Sequence, residues 1–163
     1  MSYLNRYFIC LFVTFVFAGA LFQSSKVLAE PPSPWNVRCA EVEGKNLCEM
    51  VQRISVAKTG QRVAEFSIGS PDEGGTSKAV IMLPLGILVQ EKVIMKIDDN
   101  KPVSFKIKYC VPGGCLSNLT LKKTVIDNLK RGNKVLVTAR GAANQPINIE
   151  MSLKGFTKNY KSL

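Results

Sequence analysis

From Trp35 onward, apolar residues recur mostly at every second position, the period of strands that bury one face. The clearest run is Val103-Ser104-Phe105-Lys106-Ile107-Lys108-Tyr109, with odd positions apolar and even positions polar. Between Pro146 and Leu153, Ile147, Ile149, Met151 and Leu153 alternate with Asn148, Glu150 and Ser152. Further strands are predicted at Trp35 to Glu41, Leu47 to Ser55, Val63 to Ile68, Lys78 to Leu83, Lys92 to Ile97, Cys115 to Leu121 and Lys134 to Ala139. About nine strands are too many for one open sheet in a chain this long, so an antiparallel β-sandwich is expected.

Two interruptions shape that expectation. Thr124 with Asp127 resembles a capping box, Val125, Ile126 and Leu129 share a helical face, and Gly132 can end the helix in the left-handed conformation. One short helix is predicted there. Leu83-Pro84-Leu85-Gly86-Ile87-Leu88 places proline and glycine inside an apolar run, which marks a bend or an edge where the chain changes sheet.

Upstream of Trp35 the pattern is different. Arg6 precedes the charge-free, largely apolar stretch from Tyr7 to Phe22, and Val27-Leu28-Ala29 follows as a small-residue cleavage site. The apolar stretch is shorter than the roughly 20 residues a spanning helix needs, so residues 1–29 read as a cleaved signal peptide. No transmembrane span is expected after cleavage. Glu30 to Pro34 forms a Pro-rich leader, and 35–163 a single domain. The net charge is +10 at pH 7 and falls to +8 once Arg6 and Lys26 leave with the signal.

Export to an oxidising compartment changes the meaning of the four remaining cysteines. A hairpin centred on Glu43-Gly44 sets Cys39 opposite Cys48, and one centred on Pro112-Gly113 sets Cys110 opposite Cys115. Both are non-hydrogen-bonded pairs, close enough for a bridge. Two local disulfides, Cys39–Cys48 and Cys110–Cys115, are therefore expected. Neither spacing matches a redox C-x-x-C motif, and a zinc site built from all four cysteines would need reduced thiolates. Trp35, four residues before Cys39 on the same strand face, is expected to pack in the core beside the first bridge.

The chain contains no histidine, which removes the Ser-His-Asp and Cys-His arrangements and the commonest metal ligand. No catalytic residue, cofactor or metal site is expected. The acidic pairs Asp72-Glu73 and Asp98-Asp99 fall in turn signals and read as solvated turn residues. The candidate for chemistry is a charged face. If residue numbers sum to 200 across a hairpin of Lys92–Ile97 and Val103–Tyr109, Lys92 opposes Lys108 and Ile94 opposes Lys106. Lys92, Lys96, Lys106 and Lys108 then share one face. Such a cluster suits a polyanionic partner such as lipopolysaccharide, anionic phospholipid or an acidic glycan; nucleic acid is disfavoured by location.

In order and spacing, Trp35-x3-Cys39, Cys48, Leu83-Pro84-Leu85-Gly86, Cys110-Val111-Pro112-Gly113-Gly114-Cys115 and Ser152-Leu153-Lys154-Gly155-Phe156 resemble the invasion-associated locus B family of Gram-negative envelope proteins. The resemblance implies an immunoglobulin-like sandwich, a periplasmic or outer-membrane-associated location and, in some pathogens, a part in host-cell invasion. The function expected is a non-enzymatic exported protein that binds an envelope or host-surface component. The alternative is a periplasmic accessory or chaperone-like module that binds envelope proteins by strand-edge augmentation.

Overall fold

The computed structural model describes residues 33–163; the predicted signal peptide and the start of the leader lie outside the described residues. Ten strands and two short helices form two antiparallel sheets with their flanking helices. The first four strands are consecutive hairpins: β1 (Trp35–Val42), β2 (Lys45–Ser55), β3 (Arg62–Pro71) and β4 (Ser77–Leu83). After β4 the chain crosses to the second sheet for β5 (Lys92–Ile97) and β6 (Val103–Lys106). It then returns for β7 (Tyr109–Val111) and β8 (Gly114–Leu121). Helix α1 (Lys123–Arg131) leads to β9 (Lys134–Arg140) and β10 (Pro146–Ser152) of the second sheet, and α2 (Phe156–Tyr160) follows. The sheet orders are β1-β2-β3-β4-β8-β7 and β10-β9-β5-β6.

Alternation explains how the layers meet. Met50, Phe66, Ile68, Ile81 and Leu83 from the first sheet are fully buried together with Met95, Val135, Val137 and Met151 from the second. Helix α1 adds Ile126 and Leu129, and α2 adds Phe156 and Tyr160. The Tyr160 hydroxyl lies 2.8 Å from that of Ser77, so α2 is hydrogen-bonded to β4 as well as packed against the core. Ser33 is fastened there too: its hydroxyl donates to the Lys154 carbonyl and accepts from the Asn159 amide.

Trp35 is buried in the core, though not beside the first disulfide. Its indole meets Phe66 and Phe156 edge-on, at 6.0 and 5.2 Å. Cys39 shares its strand face but is exposed, because the β1–β2 hairpin runs on beyond the cover of the second sheet. The Leu83–Leu88 run does change sheet. Ile87 is buried and bridges Gly141, while the Gly86 carbonyl and the Leu88 N–H bond to Ala142 and Arg140.

Helix α1 starts and stops by other means than the sequence suggests. Lys122 is its N-cap and no side chain caps it; Asp127 is instead ion-paired with Lys123 at 2.8 Å, one turn away. Gly132 is extended, with φ −79°, so its value is room rather than handedness. A Cβ there would lie 2.9 Å from side-chain atoms of both Ile97 and Leu153.

Candidate functional site

The two cysteine pairs fall opposite each other in their hairpins, Cys39 with Cys48 and Cys110 with Cys115. Both are bonded, with Cα atoms 4.0 and 3.9 Å apart. In the first turn, Glu43 and Gly44 both have positive φ, the geometry that matches the right-handed twist of a tight hairpin.

The basic face is built by β5 and β6. Lys92, Ile94 and Lys96, with Ser104 and Lys106, alternate against buried or half-buried Val93, Met95, Ile97, Val103 and Phe105 and so point away from the core. The register differs from the expected one by two residues: Lys92 pairs with Lys106, Ile94 with Ser104, and Met95 with Val103. The end of β5 is committed elsewhere. Ile97 pairs with Val135 of β9, and the half-buried Asp98 accepts backbone hydrogen bonds from Asn133 and Lys134 at 2.8 and 3.1 Å. Pro102, which has no N–H, cannot extend the β6 ladder. A two-residue slip keeps each side chain on its own face, so the charged surface survives with altered membership.

Lys108 leaves that surface. The strand predicted from Val103 to Tyr109 breaks after Lys106, whose carbonyl accepts from the Ser117 hydroxyl, and the Lys108 N–H bonds to the Leu116 carbonyl of the other sheet. Lys92, Lys96 and Lys106 therefore share the face, whereas Lys108 lies on the link between sheets. Lys96 is 3.6 Å from Asp99. On β9, Lys134 is bonded to Glu150 at 2.8 Å, and that carboxylate raises its ammonium pKa above the ordinary lysine value. Lys92 and Lys106, directly opposed, have no ion pair among the described residues. The outer side chains of β9, Leu136 and Thr138, are half-buried by their neighbours, and among the described residues neither helix makes an extensive contact with β5, β6 or β9.

Two other features were not anticipated. Asp98 is a bracket between β5 and β9 and not a solvated turn residue. An open cleft of about 560 Å³ lies at the β1–β2 hairpin, lined by Ala40, Val42, Leu47, the first disulfide and Ser70. Val42 and Leu47 are 47% and 54% exposed there. Their signal in the sequence is apolar residues at outward positions of β1 and β2, where alternation calls for polar ones. Among the described residues no cluster of three or more Cys, Asp or Glu could hold a metal ion, and no helix is long and apolar enough to cross a membrane.

Comparison with known proteins places this architecture. The model of the invasion associated locus B (IalB) protein family matches residues 35–163. The chain belongs to the invasion associated locus B family. It is 31% identical over 141 residues to an Invasion protein B homolog of Brucella abortus strain 2308, covering 86% of this chain and 81% of that protein. Invasion protein B of Bartonella bacilliformis is 29% identical over 140 residues, covering 83% and 74%. The crystal structure of invasion associated protein B from Bartonella henselae superposes with a TM-score of 0.75 at 25% identity, covering 82% of this chain and 92% of that one. None of these family members carries a name that denotes an enzyme.

Proposed function

We propose that this invasion associated locus B protein is an exported, non-enzymatic binding module of the cell envelope. Its basic sheet face engages a polyanion of the envelope or of a host surface, with lipopolysaccharide and acidic glycans as the available chemistries. The supporting observation is the opposition of Lys92 and Lys106. Two cations face each other across neighbouring strands with no carboxylate of the described residues ion-paired to either, an arrangement that costs stability unless an anion is bound. Family membership supports export and, by the names of the relatives, an association with invasion. The test is binding to immobilised heparin and to lipopolysaccharide across a salt series. Lys92→Gln, Lys96→Gln and Lys106→Gln together should weaken binding about tenfold or more, and the loss should track rising salt. Unchanged binding in the triple variant would overturn the reading.

A second reading rests on strand edges. Among the described residues, only Gly114, Cys115 and Leu116 of β8 pair with β7, and no strand lies beside Asn118 to Leu121 on that side. A chaperone-like module would take an extended segment of another envelope protein there through main-chain bonds. Such binding would be indifferent to salt and to the lysine variants.

A further inference from the structure

One end of the sandwich gathers the β4–β5 crossover, the β6–β7 link, the β7–β8 turn and the β9–β10 turn. Cys115 pairs with Leu83, Ile87 bridges Gly141, and the Leu88 N–H bonds to Arg140, so these segments are neighbours. They hold several exposed apolar side chains. Leu85 is 55% exposed, Val89 46% and Val111 40%. They also carry Lys92, Lys106, Lys108 and Arg140 against one carboxylate, Glu91. Glu43, Asp72, Glu73, Asp98 and Asp99 all fall in turns at the opposite end.

The crossover is also tied to the second sheet. The buried Ile87 anchors its middle, and backbone bonds from Gly86 and Leu88 to the strand-end residues hold either side, so Leu85 and Val89 are presented outward without ordering a loop. Solvated apolar tips ringed by cations fit an interface that offers anions above and hydrocarbon below.

We infer that this end docks on an anionic phospholipid surface. Leu85 and Val89 enter the boundary between headgroups and acyl chains, and Lys92, Lys106 and Arg140 sit at the phosphates. The inference rests on the basic-face reading for its phosphate contacts, while the apolar contact is independent of it. Sedimentation of the exported, oxidised protein with vesicles provides the test. It should bind vesicles of equal parts phosphatidylcholine and phosphatidylglycerol and leave vesicles of phosphatidylcholine alone in the supernatant. Leu85→Ser with Val89→Ser should weaken vesicle binding about tenfold or more while heparin binding is unchanged. Lys92→Gln with Lys106→Gln should weaken both. Leu85→Trp should be quenched by brominated acyl chains well beyond the wild-type protein, whose Trp35 is buried. Vesicle binding unaffected by the serine pair, or absence of that quenching, overturns the lipid inference and leaves the basic face standing. Absence of heparin binding by the wild-type protein, with vesicle binding that the serine pair still weakens, overturns the basic face and supports the apolar contact. A wild-type dimer that the serine pair converts to monomers, with no vesicle binding in either, assigns this end to a second copy and overturns the inference.

Discussion

Trp35 stands edge-on to Phe156 with ring centroids 5.2 Å apart, joining the first strand to the last helix. The same indole donates through Nε1 to the Ser152 carbonyl at 2.9 Å, and the Gln52 amide donates to that oxygen at 2.7 Å. Trp35→Ala and Phe156→Ala should each cost about 3–5 kcal/mol, the range for emptying a buried aromatic site. Denaturant unfolding of the two single variants and the double variant tests this. The double variant should lose less than the sum, because both sides of one contact are removed.

The disulfides close loops with sequence separations of 9 and 5 residues. Chain entropy assigns each about 2–3 kcal/mol. Replacing either pair with serine should therefore lower stability by about 2 kcal/mol and leave the far-ultraviolet spectrum unchanged. The two losses will differ in reach. Cys39 is exposed in the projecting hairpin and Cys115 is buried in the core, so hydrogen exchange should rise only around Ala40–Leu47 in the first variant and along β8 in the second.

Gly114 has φ 143°, and a Cβ there would stand 2.6 Å from the Leu83 carbonyl oxygen. The neighbour is backbone at the start of the sheet crossing and cannot rotate aside. Gly114→Ala should cost about 2–4 kcal/mol, combining backbone strain with overpacking. Gly113→Ala, next to it, meets only the end of the Arg62 side chain and should cost far less by the same thermal melt.

The Lys123 ammonium, hydrogen-bonded to Asp127, holds that carboxyl below the usual aspartate pKa. A lowered folded value means that ionised Asp127 favours the fold above the ordinary aspartate range. That contribution is lost as pH falls through the lowered folded value. In Lys123→Gln the Asp127 carboxyl resonance should titrate at higher pH, and the acid limb of the stability curve should move up with it.

Strand existence was legible because both sheets bury one face, and nine predicted strands correspond to the ten found. The same fact hid the break in the Val103–Tyr109 run, since alternation reads alike whichever sheet receives a strand. Parity survived the register slip between Lys92 and Lys106, so the charged face was legible while its partners were not. Asp98 was misread because a turn acid looks solvated until a distant strand brings Asn133 and Lys134 to it. Helix α2 has only the five residues from Phe156 to Tyr160, too few for periodicity to appear. It is set by Phe156 and Tyr160 packing on a core that the local sequence cannot disclose.

Because the Trp35 site is completed by Phe156, the first strand has its full aromatic surroundings only once the last helix has docked. Residues 35–155 can pair their hairpins and still lack one of the two rings that flank the indole. A chain ending before residues 156–160 should therefore keep its hairpins but leave the indole with Phe66 as its one aromatic neighbour among the described residues.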